Sequence, residues 1–424
     1  MEEDFPLRTL LVAHSFEGGA GRAAQRLFHA LTRHQAGTLS CSAMIRTRSG
    51  SSDADASRIF PISLSTSKKI WLEASSRVSR ILSSPNRPGP LSFALFDTGV
   101  LRRVQSAKPD VVNLHWLGNN TLSIGEIAKI QAPIVWTLHD EWFFHGAEHY
   151  ADDDRAFTGY DANKRASSLF FDLNRFVWSE KMRRWAGGMQ LVAPSNWLAQ
   201  RAQESVLGRR HKVHVIPNPL DLEFWKPIPK AVAAEILGVD PSKTYILFGS
   251  LNSERDFRKG KDLATQVLAL LGQNETALES AEVLFFGGDP GVGRIGQVPY
   301  REIGLLDDGQ LRAAYSLATV MLLTSRQENL PQTGTEATAC GTPVIAFKVG
   351  GLSDVVSDGE TGILVEPFDI KAMADSVRDV VTNSNLSASM AKAARQRAVE
   401  LWDSERVGSR YKDVFRKALE NNSP

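Results

Sequence analysis

Cysteine is almost missing from this chain: among 424 residues there are two, Cys41 and Cys340, in different halves. That excludes a disulfide framework and favours a reducing compartment. Long apolar runs are missing as well, since no window approaches the ~18 uninterrupted apolar residues of a membrane-spanning helix. The opening stretch from Met1 to Ser15 starts acidic and carries an apolar run of only a few residues, unlike a secretory signal. The expectation is a cytosolic protein, at most peripheral to the inner face of a membrane. Charge of one sign is not in excess either. The formal net charge is +1, which offers no argument for a nucleic-acid partner.

What is present is ordinary for globular protein: 42% hydrophobic and 23% charged residues, at a length that favours two or three domains. The chain is organised around the stretch from Met321 to Gly351. An apolar run, Val320 to Leu323, ends in polar Thr324, Ser325 and Arg326. Glu328, Asn329, Leu330 and Pro331 follow, and a second carboxylate, Glu336, falls just inside a helical pattern. In an open α/β sheet, ligands bind outside the carboxyl ends of the strands, and the N–H groups of the next helix attract phosphate oxygens. Gln332 to Thr335 would supply those donors. Glu328 and Glu336 would then accept hydrogen bonds from hydroxyls on either side of the phosphates, one from a sugar and the other from a ribose. A nucleotide sugar has those parts in that order.

Two glutamates eight positions apart occur by chance in any charged helix. Set between Asn-Leu-Pro and Ala-Cys-Gly-Thr-Pro-Val-Ile-Ala-Phe, however, the pair Glu328 and Glu336 resembles the donor-site signature of retaining GT-B glycosyltransferases, family 4 (group 1) in particular. The resemblance covers nearly the whole chain. It implies two Rossmann-like, doubly wound parallel-sheet α/β domains facing a central cleft. Their boundaries are expected as 1–221 for the acceptor domain, 222–395 for the donor domain, and 396–424 for a C-terminal helix crossing back to the first. The prolines at 217, 219, 227 and 229 stiffen the linker.

Within the first domain, Thr9 to Ala13 reads as a buried strand, followed by a glycine-rich turn and a helix. The spacing is neither a dinucleotide fingerprint nor a P-loop. By resemblance Gly18 and Gly19 let a donor phosphate or the acceptor approach the backbone; the plainer alternative is a tight turn. Two proline-led runs, Pro109 to Trp116 and Pro133 to Trp142, read as parallel strands opening into a cleft. His139 ends the second run beside Asp140. Position alone leaves it between a satisfied half-buried histidine and a functional one, and the resemblance implies a hydrogen bond to a sugar hydroxyl near the transfer site.

Asp152 and Asp154 form the Asp-x-Asp of the manganese site in the other major glycosyltransferase fold, but they follow no apolar strand, and no metal is expected. Relatives carry cysteines between about 146 and 165 where this chain has none, so that loop must be ordered differently or be mobile. Arg175, Lys181, Arg183 and Arg184 read as a basic helix face toward acceptor or lipid. A basic amphipathic stretch at 66–87 suggests contact with anionic headgroups; an ordinary surface helix is the alternative.

In the second domain Lys259, before a helix start, matches the lysine that neutralises the donor diphosphate in the family. The arginine expected after the strand Tyr245 to Gly249 is replaced by Ser250, and Arg255 or Arg258 would have to stand in. The resemblance thus implies a metal-independent hexosyltransferase without cofactor, the nucleotide sugar being a substrate. Its acceptor would be a glycan, or a lipid-linked glycan in surface or extracellular polysaccharide synthesis. Rival readings are a catalytically silent nucleotide-sugar sensor, a nucleotide-sugar epimerase and a Rossmann dehydrogenase, the last disfavoured by the missing fingerprint.

Overall fold

The computed structural model describes residues 6–35, 37–47, 56–62, 73, 77, 91–118, 120–151, 154–160, 172–249, 256–272 and 281–421. Ser250, Arg255, Asp152 and, apart from two single positions, the stretch 66–87 lie outside the described residues. The chain divides into two units, Met1–Pro219 with Ser404–Pro424, and Leu220–Asp403.

The sheet of the first unit is parallel throughout, in the order β3-β2-β1-β4-β5-β6-β7. Its strands are β1 (Leu7–Ser15), β2 (Leu39–Thr47), β3 (Ile59–Pro61), β4 (Val111–Leu114), β5 (Ile134–Thr137), β6 (Gln190–Ala193) and β7 (Lys212–Val215). Residues of β4, β5 and β6 are buried all along, as expected for strands covered on both faces. The strand β7 ends two residues before the first linker proline, Pro217; alternating Lys212, Val213, His214 and Val215 suit a half-exposed edge. One sheet face is covered by the helix Gly18–His34 together with the C-terminal helix Ser404–Glu420. Val407, Tyr411 and Phe415 of the latter share a core with Leu27, Phe28 and Leu31 of the former.

In the second unit the order is β10-β11-β9-β8-β12-β13-β14. The strands are β8 (Thr244–Gly249), β9 (Ala281–Phe286), β10 (Gly291–Ile295), β11 (Val298–Glu302), β12 (Val320–Leu323), β13 (Val344–Phe347) and β14 (Gly362–Val365). All neighbours are parallel except the hairpin of β10 with β11. That hairpin is not evident from sequence, because its glycines and Pro299 read as loop.

Strand order reverses between β1 and β4 in the first sheet and between β8 and β12 in the second. Ligands of open α/β sheets bind at such reversals, outside the carboxyl ends of the strands. The residues that end β1, β4, β5, β8 and β12 therefore decide the chemistry. Among the described residues no helix is long and apolar enough to cross a membrane.

Candidate functional site

At the reversal of the second sheet, the segments leaving β8 and β12 are stitched together. The Arg326 amide donates to the Arg258 carbonyl at 2.7 Å, and the Thr324 hydroxyl to the Gly260 carbonyl at 2.7 Å. Gly260 sits at φ +67°, and a Cβ there would lie 2.0 Å from the Thr324 carbonyl oxygen. Only glycine makes this turn and this approach together. The turn carries Lys259 to Glu328: Nζ lies 2.6 Å from Oε2, and the Ser325 hydroxyl is 3.4 Å from the same oxygen.

Glu328 is held from behind as well. Its carbonyl accepts from the Gly351 amide at 2.9 Å, and Gly350, at φ +54°, passes so close that a Cβ would fall 2.0 Å from that oxygen. Next to it, Asn329 is buried and Leu330 joins the core. Pro331, the N-cap of the helix Gln332–Ala339, has no polar side chain and so gives it no side-chain cap. The amides of the first turn are the orphan donors of that helix. Gly334 lets the helix settle on Leu323 and Val355; a Cβ would come within 3.0 and 3.2 Å of them.

Glu336, 1% exposed, lies deeper. It accepts a hydrogen bond from the Tyr315 hydroxyl at 3.0 Å. Burial, then the neighbouring Glu336 carboxylate, push the Cys340 thiol up to about 12, so this cysteine stays protonated and inert. The structure therefore brings Lys259 and Glu328 together and sets Glu336 in the helix behind them.

Arg258 is less available: its guanidinium grips Asp256 with two bonds, of 2.7 and 3.0 Å. Arg326, which received no role from sequence, is paired with Asp262 at 2.6 and 2.8 Å and covers the Phe257 ring at 3.7 Å.

At the reversal of the first sheet, His14, His115 and His139 end or follow β1, β4 and β5. Nδ1 of His115 is 2.9 Å from Nε2 of His139, and Nε2 of His115 is 2.9 Å from the Asn113 amide oxygen. Burial holds His115 well below the usual histidine range and lowers His139 to about 4. Asp140 turns away from this pair to His149, at 2.5 Å, and to the Trp116 indole, at 2.7 Å. Burial raises its pKa, but His149 and the Trp142 amide outweigh it and hold the carboxyl below its ordinary value. The residues around His115, His139 and Asp140 enclose a cavity of about 10 Å³, enough for roughly one water.

Gly18 has φ +69°, whereas Gly19 has no close neighbour. The glycine that the fold needs sterically in this turn is Gly21, whose Cβ would meet the Phe16 carbonyl carbon at 2.7 Å. Among the described residues, no cluster of three or more His, Cys, Asp and Glu side chains is arranged to hold a metal.

Both units match family models. Residues 17–224 fit the model described as Glycosyltransferase Family 4, and residues 301–397 the one described as Glycosyl transferases group 1. The chain belongs to the family 4, group 1 type of glycosyltransferases. A D-inositol 3-phosphate glycosyltransferase of Segniliparus rotundus is 30% identical over 209 residues, 45% of either chain. The chain spans about half the length of the curated relatives it matches. Among solved structures, sucrose-phosphate synthase from Thermosynechococcus elongatus aligns with a TM-score of 0.68 at 17% identity, over 97% of this chain and 98% of that one. Anabaena HepE in complex with UDP-glucose aligns at 0.65 and 15%, over 96% and 99%. These likenesses establish the GT-B fold.

In this glycosyltransferase-family chain, residues 138–151 and 154–160 after β5 are held without cysteines. Lys181, 0% exposed, donates to the carbonyls of Trp142, His145 and Gly146, and its Nζ lies 3.8 Å from the centre of the Trp142 ring. Asn174 accepts from the Ala147 amide at 2.9 Å, and the Tyr160 hydroxyl accepts from the Gly146 amide at 3.0 Å. Lys181 is thus no part of an exposed basic face. Arg183 and Arg184 are exposed or partly exposed, and both pair with Glu180.

Proposed function

We propose that the chain is a retaining, metal-independent glycosyltransferase that moves a sugar from a nucleoside-diphosphate sugar to an acceptor hydroxyl. The observation that carries this reading is the Lys259–Glu328 pair, 2.6 Å apart at the strand-order reversal of the second sheet. An ammonium and a carboxylate fixed side by side are what a donor needs where its diphosphate meets its sugar. Lys259 and the uncapped first turn of Gln332–Ala339 neutralise the departing diphosphate, acting as fixed charges and dipoles where negative charge develops. Glu328 takes sugar hydroxyls and supports the cationic anomeric carbon. Glu336 receives the ribose, and His139 accepts from a sugar hydroxyl.

The bond from the anomeric carbon to the phosphate oxygen breaks, and a bond to the acceptor oxygen forms on the same face. The acceptor proton passes to the departing phosphate oxygen. The acceptor is a glycan hydroxyl, on a lipid carrier in surface polysaccharide synthesis. The inositol phosphate in the name of a relative makes a small phosphorylated polyol the competing acceptor class.

The test presents purified protein with UDP-, GDP-, dTDP- and ADP-sugars in EDTA. It adds either a lipid-linked glycan extract or inositol and sugar phosphates, and follows nucleoside diphosphate release and product configuration. Release from one donor that requires one acceptor class, with retained configuration, is expected. Donor binding by thermal shift with no turnover in any combination would favour the silent sensor and overturn the proposal.

A further inference from the structure

A hydrogen-bond chain through the first sheet determines which nitrogen of His139 carries its hydrogen. Asn113 is 0% exposed, a polar residue inside the apolar strand β4. Its amide nitrogen lies 3.0 Å from the Val135 carbonyl oxygen and 3.2 Å from the Thr137 hydroxyl. A carbonyl only accepts, so the NH₂ group must face Val135 and the amide oxygen must face His115. Thr137 is held in turn at 3.2 Å by the hydroxyl of buried Tyr411, from the helix Ser404–Glu420, which pins the amide on that side.

An amide oxygen also only accepts. Nε2 of His115, 2.9 Å away, therefore bears the hydrogen. His115 is 1% exposed, and burial followed by the neighbouring His139 disfavours its charged form, so the ring is neutral and Nδ1 carries a lone pair. That lone pair faces Nε2 of His139 at 2.9 Å, so His139 donates through Nε2. With His139 also neutral at physiological pH, its Nδ1 is an acceptor.

We propose that Asn113 and His115 are positioning residues that lock His139 in its Nε2–H tautomer, so that Nδ1 is presented as an acceptor to a hydroxyl of the transferred sugar. The role given to the sugar rests on the transferase reading above; the tautomer does not. His139 then orients a hydroxyl by accepting from it and cannot protonate a departing oxygen. That leaves proton management to the acceptor hydroxyl and the departing phosphate. Flipping this tautomer would turn an acceptor toward the sugar into a donor, so the hydroxyl would have to accept where it had donated.

The full chain labelled with nitrogen-15 in the histidine rings tests this by long-range proton–nitrogen correlation, with His139→Gln and His115→Gln assigning the two rings. At neutral pH both rings are expected to show a protonated Nε2 and a pyridine-type Nδ1. A protonated Nδ1, or an imidazolium, on either ring overturns the proposal, and this arm needs no variant to fold. Asn113→Leu removes the acceptor. It is expected to give mixed tautomers at His139 and to lower kcat by roughly ten- to a hundredfold with donor KM little changed, by analogy with the loss seen when the hydrogen-bond partners orienting a metal-bound histidine are removed. Unchanged tautomers and rate in Asn113→Leu would reject the relay. Should His139→Gln itself transfer at the wild-type rate, the transferase role of His139 fails while the spectrum still decides the tautomer.

Discussion

At the scale of single residues, Glu328 has two possible partners in the proposed cycle. Without donor its carboxylate holds Lys259 at 2.6 Å; with donor, the diphosphate competes for the same ammonium. Removing Glu328 therefore has opposite effects on transfer and on nucleotide affinity. Glu328→Ala is expected to lower transfer by on the order of 10²–10³-fold, as for other fixed electrostatic groups. Nucleoside diphosphate binding should stay equal or tighten, because Lys259 no longer has an internal anion. Titration calorimetry of the diphosphate beside a transfer assay measures both. Transfer close to the wild-type rate, or diphosphate affinity falling in step with it, would mean that Glu328 has another role.

Gly260 offers a sharper steric test at the same scale. A Cβ would lie 2.0 Å from the Thr324 carbonyl oxygen, on a residue already at φ +67°. Gly260→Ala must push the Lys259 turn off the end of β12, and it is expected to lose most diphosphate affinity while the rest of the second unit stays folded. Lys259→Met, with the turn intact, separates loss of charge from loss of position. If Gly260→Ala binds diphosphate as well as wild type, Lys259 does not act from the place where the turn sets it.

At the scale of elements, legibility from sequence follows from what each element buries. The strands β1, β4, β5, β8 and β12 are short apolar runs, and they announce themselves. Glu328 and Glu336 are legible because a long motif surrounds them. The clamp of Gly350 and Gly351 on Glu328 is not, since a glycine pair reads as any turn and its target is more than twenty positions away. Asn113 leaves one signal, a polar residue in an otherwise apolar strand, and such a residue needs partners that sequence does not name.

The helix Leu173–Arg184 shows the difficulty most clearly. Its buried stripe is Asn174, Val177 and Lys181, so two of three core positions are polar and the periodic pattern is hidden. Lys181 there takes over the task of holding the loop after β5. Lys181→Met matches the length but leaves three buried carbonyls without their donor, at a cost on the order of 3 kcal/mol. The expected result is a lower melting temperature for the first unit and faster amide exchange at residues 142–147. Exchange there as slow as in wild type would show that Asn174 and Tyr160 suffice.

At the scale of the whole molecule, all nine histidines lie between His14 and His214, so the unit Leu220–Asp403 has none. Burial, with a lesser push from Arg46, lowers His14 to about 4; burial, against an opposing pull from Asp140, does so for His139; burial and then Arg210 do so for His211. An unfolded chain takes up these protons near pH 6.5, whereas the folded one resists until about 4. Between those values the unfolded state binds more protons, so stability is fully present above about 6.5 and drains away as pH falls toward 4. Asp110, held low by its bond to Arg8, and Asp262, held low by Arg326, lose their contributions only below the ordinary carboxylate range. The window from about 6.5 to 4 therefore belongs to the buried histidines, opposed by Glu141, whose carboxyl burial raises, and so to one unit.

Calorimetry across that window should show the transition of Met1–Pro219 with Ser404–Pro424 moving to lower temperature by the equivalent of a few kcal/mol, while the transition of Leu220–Asp403 stays nearly still. His211 packs edge-on against Phe143, and its two ring nitrogens have no hydrogen-bond partner among the described residues, so His211→Leu should flatten part of that slope without touching the proposed site. A melting temperature that rises on acidification, or a slope shared equally by both units, would contradict the neutral buried histidines on which the tautomer of His139 also depends.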